Sequence, residues 1–416
     1  MLIAVFSAFV WFSAALTFAL SLGISSGYGI GTVLIFLSSS ALCVLKPKLS
    51  EFTKEDRVLF SIFALYAIAM FVFAYLDGWH VRELDRPSRF ILALPVMLLL
   101  LKLVGRVQWL WFGVVLGAIL AFTLAVYERS VLGFGRAQGS QHPIMFGNIG
   151  MMLGLISFVS SMYFLAKKRY LWLALGIVGG LCGIGASVLS ASRGGWVALP
   201  LIGFFLLWQS RFLLGKKTLV GALATSVFLI VVAVAVPQTG IKDRIDEAVS
   251  DVVKYDTGVD KKTSVGLRFE MWKAALVMFK GSPFIGVGEY GSVSVKAKIV
   301  EEGIVSKEVL GYSHAHNEYI NALGLNGIVG FIFLMSIYLI PLKLFLKKIR
   351  QYPDNWNVKS YAMAGALVPM SYMDFGLSQV MFSHNIGVMM YAFPIVYFWA
   401  AVRWAEREEL AKNPLL

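Results

Sequence analysis

The amino-acid sequence predicts an all-α polytopic membrane protein with about twelve transmembrane helices and one long loop on the outer side. Three observations support this class: the composition, the recurrence of long apolar runs, and an uneven distribution of basic residues between alternate loops. The 416-residue chain is 58% hydrophobic and only 15% charged, whereas a soluble domain is about 45–50% apolar and ~25% charged. This composition excludes a soluble enzyme, a disordered chain and a nucleic-acid-binding protein.

Apolar runs long enough to cross the hydrocarbon core, about 20 residues each, recur along the chain. The first run has neither a basic leader region nor a clear cleavage site, so we interpret it as a retained helix rather than a signal peptide. The runs divide the chain into residues 1–236 with nine helices, a loop of amphipathic helices at 237–320, and residues 321–416 with three more. The predicted spans are roughly 2–22, 28–45, 58–76, 90–104, 108–126, 144–166, 170–189, 194–208, 218–236, 321–346, 360–380 and 386–404.

The basic residues predict the orientation in the membrane. With the N-terminus placed in the cytoplasm, the inner loops carry twenty Lys and Arg residues and the short outer loops carry six. Because short cytoplasmic loops are enriched in Lys and Arg, we expect both termini to be cytoplasmic. The net charge of +13 is then mostly a topology signal, and all five histidines fall on the outer side, at His80, His142, His314, His316 and His384.

The outer loop begins with a predicted amphipathic helix. In IKDRIDEAVSDVVK the apolar residues recur at helical spacing and share one face. We expect this face to pack on the membrane helices, with direct substrate contact as the alternative. Its members are Ile241, Ile245, Val249, Val252 and Val253.

A second helix is predicted in TSVGLRFEMWKAALVMFKGSP, where Thr263 or Ser264 can cap the N-terminus and Gly281 with Pro283 ends the helix. Arg268 and Trp272 are four residues apart, so they share a face. Arg268 is either a solvated surface arginine or a ligand-binding one. The glycine-rich FIGVGEYGS that follows lacks the strand–helix context of a phosphate loop, and we interpret it as a connection.

The segment GYSHAHNEYINALGLNGIVG leads directly into the tenth span. His314 and His316 would point in nearly opposite directions on a helix, and no carboxylate cluster completes a metal site, so we predict none. His316 lies at the membrane surface near a helix N-terminus. It is either a packed interfacial histidine or a functional one.

Several polar residues lie within or beside apolar runs, where a charge costs a few kcal/mol. Arg193 follows the seventh span and either reaches to the interface or faces an anionic substrate. Asp374 lies within the eleventh span and is either a structural partner of an arginine or a catalytic group. Arg136, Gln141 and His142 offer hydrogen-bond donors just before the sixth span.

These motifs together resemble the O-antigen ligase family, which also includes polymerases and related oligosaccharyltransferases. The resemblance is carried by SRGG at Ser192–Gly195, by LRFEMWKAALVMFKGSPFIGVGEYGS from Leu267, and by HNEYINALGLNGIVG from His316. It covers roughly residues 140–335. The predicted number of spans and the long loop between the ninth and tenth also agree with the family.

The resemblance implies a GT-C-like helical bundle in the bacterial inner membrane, with its active site and long loop on the periplasmic side. The donor would be O-antigen on undecaprenyl pyrophosphate and the acceptor a sugar hydroxyl of lipid A–core oligosaccharide, both anchored among membrane lipids. The family reaction inverts the anomeric centre and needs no metal or other cofactor. The absence of a paired carboxylate motif on the outer side is consistent with that expectation.

The resemblance also assigns roles to residues. His316 matches the family histidine and is expected to be the general base or to orient the acceptor. Arg193 and Arg268 match the family arginines and are expected to bind the pyrophosphate, with Arg136 as a third member. Further candidates around these positions are His314, Asn317, Trp272, Gln141, His142 and Asp374.

Two alternatives remain from the sequence. An O-antigen polymerase of the same family would use the same donor with a carrier-linked acceptor. A transporter or flippase is compatible with charged residues in the membrane, but no inverted repeat of broken helices is present. The two cysteines, Cys43 and Cys182, both lie in apolar runs and form no disulfide framework.

Overall fold

The computed structural model describes residues 2–192, 194–235 and 241–412. Within these ranges the chain is helical and contains no β-strand, which confirms the predicted all-α class. The α-helices are α1 (Leu2–Ala19), α2 (Gly27–Ser38), α3 (Leu42–Leu45), α4 (Lys54–Leu76), α5 (Val81–Lys102), α6 (Trp109–Ser130), α7 (Pro143–Ala166), α8 (Tyr170–Leu189), α9 (Leu199–Ala235), α10 (Ile241–Asp256), α11 (Ser264–Gly281), α12 (Gly291–Glu301), α13 (Glu318–Gln351), α14 (Trp356–Phe375) and α15 (Asn385–Lys412).

The helices agree with a multi-pass membrane protein. In the described ranges, nine helical segments are long and apolar enough to cross a bilayer. Each of the twelve predicted spans overlaps a helix, and the break at Gly215, where φ is +73°, separates the predicted eighth and ninth. Helix α5 starts at Val81 rather than near 90, and its first turns are charged. The orientation and the domain boundaries at 237 and 321 stay predictions.

The chain forms two compact units, Met1–Leu199 with Ile332–Leu416 and Pro200–Phe331. The first unit is built around α7, α14 and α15, whose side chains are buried along most of their length. The second contains most of α9, the three helices α10 to α12, and the first turns of α13. Its core is a small apolar cluster, made of Met271, Ala274, Ala275, Ile299, Val305, Val309 and Ala315.

The two helices predicted at the start of the outer loop are present. Thr263 caps α11 by accepting a hydrogen bond from the Gly266 amide at 3.1 Å, and the helix ends at Gly281 as expected. On α10, however, Val249, Val252 and Val253 are exposed. These three side chains are therefore not covered by α11, which α10 contacts through Asp251 and Tyr255. The expectation that this face packs on the membrane helices stays a prediction.

A buried charge network, defined as Glu55, Asp56, Lys348, Arg403 and Glu406, joins α4, α13 and α15 in the first unit. The Lys348 ammonium lies 2.7 Å from Glu406 Oε1 and 2.6 Å from Glu55 Oε2. Arg403 Nε lies 3.2 Å from Asp56 Oδ1, which also accepts a hydrogen bond from the Trp399 indole at 2.8 Å. Since the Lys348 and Glu406 side chains are only 5% and 3% exposed, each charge depends on its partner for stabilisation.

We expect Lys348→Met to destabilise the protein strongly, because it removes the cation that lies between Glu55 and Glu406 and leaves the buried Glu406 with Arg403 alone. Removing one member of a buried pair costs about 3–5 kcal/mol. The adjacent Lys347 is 53% exposed and also contacts Glu55, so Lys347→Met is a matched control that should cost ~1 kcal/mol or less. Unfolding followed in detergent micelles measures both. Equal losses in the two variants would contradict the assigned importance of the Lys348–Glu406 pair.

Candidate functional site

The segment before α13 is a short turn that places His316 at the head of this helix. Asn317 caps α13, since its Oδ1 accepts hydrogen bonds from the amides of Tyr319 and Ile320, both at 3.0 Å. The Ala315 amide donates to Asn321 Oδ1 at 3.1 Å, which ties the turn to the first turn of the helix. Asn317 is 8% exposed. Asn317 therefore has a structural role as the N-terminal cap of α13. His316 directly precedes it, close to a helix N-terminus as predicted.

His316 has an uncommon backbone conformation. Its φ is +48°, in the left-handed region that few non-glycine residues adopt. As a result its amide donates to His314 Nδ1 at 3.3 Å, and the two imidazole ring centres are only 4.4 Å apart. On a helix the two rings would point in nearly opposite directions. The segment forms a turn instead, and the turn brings the two rings together. The ring of Tyr312 lies 5.8 Å from that of His316.

Trp272 connects α11 to this turn. Its indole Nε1 donates a hydrogen bond to the Ala315 carbonyl at 2.9 Å, directly before His316. Met271 and Ala275 on the same helix are buried in the apolar cluster with Ala315. The helix is therefore fixed against the histidine turn by both packing and a hydrogen bond.

Arg268 lies one helical turn before Trp272 on the same face of α11, which places their Cβ atoms about 5–6 Å apart. It is half-buried, and removal from water lowers the pKa of its guanidinium group. Among the described residues, none forms a hydrogen bond or ion pair with this guanidinium. A partly desolvated, unpaired arginine offers its planar set of donors to an anion.

A second cation, which the sequence analysis missed, lies beside the histidine turn. Lys296 of α12 donates from its ammonium to the Tyr312 carbonyl at 2.9 Å. Burial lowers the pKa of Lys296, and the nearby Glu289 carboxylate partly opposes that shift. No motif marks this lysine in the sequence, since its importance depends on the packing of α12 against the turn.

Glu270 was also missed, and it joins three elements of the second unit. The carboxylate is 1% exposed, and it accepts hydrogen bonds from the Tyr255 hydroxyl at 2.8 Å and the Ser306 amide at 2.6 Å. Burial, together with this carboxylate, raises the pKa of Tyr255 to about 12. Glu270 thereby fixes α11, which carries Arg268, against its neighbours.

The glycine-rich segment after α11 is more than a connection, because it pairs with a break in α13. The Ile328 amide donates to the Pro283 carbonyl at 2.8 Å, and the Gly288 amide to the Leu325 carbonyl at 2.9 Å. Gly327 has φ +64°, and a Cβ there would lie 2.4 Å from the Phe284 backbone. The glycines permit this close approach of two backbones.

In the first unit, the SRGG motif packs tightly around small side chains, while its Arg193 lies outside the described residues. The Ser192 hydroxyl is 3.3 Å from Asn148 Oδ1. A Cβ on Gly194 would lie 1.7 Å from Ser378 Oγ, and one on Gly195 would meet Phe375 and Asn148. Asn148 and Ser378 were not predicted as neighbours, since they come from distant parts of the sequence.

Asp374 lies next to the same motif. Its Oδ1 accepts a hydrogen bond from the Ala198 amide at 2.9 Å, at the start of α9. Its Oδ2 is buried and accepts no hydrogen bond from a described residue. Asp374 therefore supports the backbone that follows the SRGG motif, and its assignment to catalysis stays a prediction.

The three candidates before α7 are Arg136, Gln141 and His142. Arg136 contacts the end of α8, and His142 contacts the start of α7. Arg136 Nε donates to the Ser190 carbonyl at 2.9 Å, at the C-terminal end of α8, where a cation is favourable. His142 caps α7 by accepting from the Ile144 amide at 3.3 Å. Burial, and next the Arg136 charge, lower the pKa of His142. Gln141 donates to Ser140 Oγ at 3.2 Å.

No group of three or more His, Cys, Asp or Glu side chains in the described ranges is arranged to hold a metal ion. The rings of His314 and His316 are close, but they belong to no such group. The arrangement in the second unit instead combines cations with an imidazole, which suits an anionic substrate and a proton transfer.

Comparisons with known proteins match the segment that contains these motifs. A family model described as O-antigen ligase matches residues 178–335. An uncharacterized protein of Haemophilus influenzae is 30% identical over 347 residues, covering 83% of this chain and 86% of that relative. The O-antigen ligase of Escherichia coli K12 is 25% identical over 219 residues, covering 51% of this chain and 48% of that relative.

We expect Gly327→Ala to destabilise the second unit, because the methyl group would collide with the Phe284 backbone at a left-handed residue. Overpacking of this kind costs about 1–3 kcal/mol. Gly311→Ala is the matched control, since a Cβ there meets nothing within 4 Å, and it should change the stability by ~0.5 kcal/mol or less. Limited proteolysis and thermal unfolding of the detergent-solubilised protein measure the difference. A Gly327→Ala protein as resistant as Gly311→Ala would show that the two segments do not pair.

Proposed function

The chain belongs to the O-antigen ligase family, and we propose that it transfers O-antigen polysaccharide from undecaprenyl pyrophosphate to a sugar hydroxyl of lipid A–core oligosaccharide. The observation that carries this proposal is the position of Arg268. A half-buried guanidinium, paired with none of the residues that the structure describes, lies one turn from Trp272, which is hydrogen-bonded to the residue before His316. An anion-binding group and an imidazole are thereby held on adjoining, rigid backbone.

Arg268 is proposed to bind the pyrophosphate of the donor. The donor is already activated, because its leaving group is a pyrophosphate whose negative charge increases as the glycosidic bond breaks. A guanidinium can donate two parallel hydrogen bonds to phosphate oxygens. Since Arg268 is removed from water before the substrate arrives, its electrostatic stabilisation of that charge is stronger than it would be in bulk solvent. Arg193 and Arg136 are proposed as further pyrophosphate ligands on the family resemblance.

His316 is proposed as the general base. The acceptor hydroxyl attacks the anomeric carbon, its proton moves to the imidazole, and the bond between that carbon and the pyrophosphate oxygen breaks. Undecaprenyl pyrophosphate leaves with the bonding electrons, and the configuration at the anomeric carbon inverts. The left-handed conformation of His316 and the adjacent ring of His314 support a fixed orientation of the imidazole, which a positioned base needs.

The same proposal includes the location of the reaction. The chain is a multi-pass membrane protein, and we propose that it lies in the bacterial inner membrane with both termini cytoplasmic. The site is then on the periplasmic side, where both lipid-anchored substrates are exposed. The asymmetric distribution of basic residues between loops supports this orientation.

Arg268→Lys and His316→Ala should both reduce transfer while leaving the fold intact. Lysine keeps the charge but loses the bidentate geometry, and loss of one stabilising donor costs about 10²–10³-fold in turnover. Loss of a positioned base costs about 10²–10⁴-fold. The control is Lys298→Gln, whose side chain is 74% exposed and which should behave as the wild-type protein. The measurement is the formation of glycan-linked acceptor in proteoliposomes that contain purified donor and acceptor.

Four outcomes would contradict parts of the proposal. Wild-type rates for His316→Ala would remove the histidine from the mechanism, and wild-type rates for Arg268→Lys would argue against bidentate binding. A longer glycan still on its carrier, with no transfer to the lipid A–core acceptor, would instead identify a polymerase. Movement of donor across the bilayer without any new glycosidic bond would identify a transporter.

A further inference from the structure

Helix α10 contacts the rest of its unit through polar side chains. Asp251 is 6% exposed, and its Oδ2 accepts a hydrogen bond from the Val265 amide in the first turn of α11 at 3.3 Å. One turn later, the Tyr255 hydroxyl donates to Glu270 at 2.8 Å. On the side that faces α11, Asp251 and Tyr255 thus join the two helices by hydrogen bonds, and the ring of Tyr255 lies 5.1 Å from that of Phe269.

The opposite side of α10 carries three exposed valines among the residues that the structure describes. Val249, Val252 and Val253 are 60%, 44% and 55% exposed. At about 100° per residue, Val249 and Val253 each point roughly 160° away from Asp251. A helix on the surface of a soluble protein buries its apolar stripe, whereas these valines are exposed and the buried residue is Asp251. This is the arrangement expected of a helix whose outer face meets lipid.

The position of α10 directly after the apolar helix α9 indicates that its exposed valines contact lipid. Helix α9 ends at Ala235 and α10 begins at Ile241, so the connection can reach at most ~20 Å. The described part of α9 exposes large apolar side chains, including Trp208 at 52% and Phe212 at 78%. The apolar run of α9 continues to Val236, and the first strongly polar residue after it is Gln238. Helix α10 therefore begins where the chain leaves the membrane.

The flanking charges set how deep α10 can enter. Asp246 and Asp256 are exposed and border the valine face at its two ends. Carboxylates remain hydrated in the headgroup layer but are strongly disfavoured in the hydrocarbon core. An amphipathic helix in the interfacial plane buries its apolar face about 5–10 Å into the boundary between headgroups and acyl chains, which three valines bordered by carboxylates can satisfy.

We propose that α10 lies in the headgroup layer of the bilayer with Val249, Val252 and Val253 in contact with lipid. Because Asp251 and Tyr255 join α10 to α11, this contact holds Arg268 at the level of the lipid headgroups. Under the proposed function that level is also where the pyrophosphate of a lipid-linked donor lies. This consequence depends on the proposed function, whereas the lipid contact itself does not.

Spin labels on the full-length protein test the lipid contact directly. Cys43 and Cys182 are first replaced by Ala, and single cysteines are then introduced as Val249→Cys, Val253→Cys or, as the control, Glu247→Cys. Glu247 is exposed on the same helix and points roughly 160° away from Val249. In liposomes of phosphatidylethanolamine and phosphatidylglycerol, we expect the labels at 249 and 253 to collide with lipid-soluble oxygen several-fold more than with a water-soluble nickel chelate. The label at 247 should show the reverse.

Two results would overturn the proposal. Strong collision with the nickel chelate at 249 and 253 would show that the valines face water. Weak collision with both reagents would show that protein covers them, as in a complex with a second copy of the chain. Neither result depends on transferase activity, so failure of this proposal is distinguishable from failure of the proposed function.

The functional consequence is tested with Val249→Asn, Val252→Asn and Val253→Asn combined. We expect the KM for the lipid-linked donor in proteoliposomes to rise several-fold with little change in kcat, since neither Arg268 nor His316 is altered. The hydrogen bonds of Asp251 and Tyr255 are unchanged, and the thermal unfolding midpoint in detergent checks that the unit still folds. An unchanged KM together with confirmed lipid contact would show that α10 does not set the level of the site.

Discussion

A bilayer offers no hydrogen-bond partners to a polypeptide backbone, and this constraint governs the whole chain. A segment that crosses the hydrocarbon core must satisfy its amides internally, which a helix does. Every polar side chain left at membrane depth then needs a partner of its own. The hydrogen bond that Asp374 accepts from the Ala198 amide is an example within a predicted span. The buried network around Lys348 and Glu406 lies just beyond the ends of the predicted spans and is paired in the same way.

The second unit is stabilised differently from the first, because its apolar core contains few residues. Its order depends on buried polar contacts around α11: Thr263 at the N-terminal cap, Glu270 between Tyr255 and Ser306, and Trp272 on the Ala315 carbonyl. Each of these contacts fixes α11 in position without using Arg268. The helix can therefore be rigid while its arginine stays available for an anion. That separation of structural and binding groups is what a preorganised electrostatic site requires.

Two backbone features explain why the histidine segment is not simply the first turn of α13. Asn317 ends the preceding turn by capping the helix, and His316 adopts a left-handed conformation that carries its ring beside that of His314. A few residues later α13 is broken at Gly327, where the chain accepts the glycine-rich segment that follows α11. The family motif around His316 thus encodes a turn, a helix cap and a position where the glycine-rich segment pairs with α13.

The sequence by itself determined the helical class, the positions of the apolar segments, the start and end of α11, and the set of motifs that identify the family. These follow from local physics: the length of an apolar run, the spacing of side chains on a helix, and the residues that cap or end one. Only the tertiary structure revealed the roles of Lys296, Glu270, Asn148 and Ser378, because their partners are distant in the chain. It also showed that α10 contacts α11 through Asp251 and Tyr255. The periodicity of that helix shows that one face is apolar, but whether protein or lipid covers that face depends on which side its hydrogen bonds tie to α11.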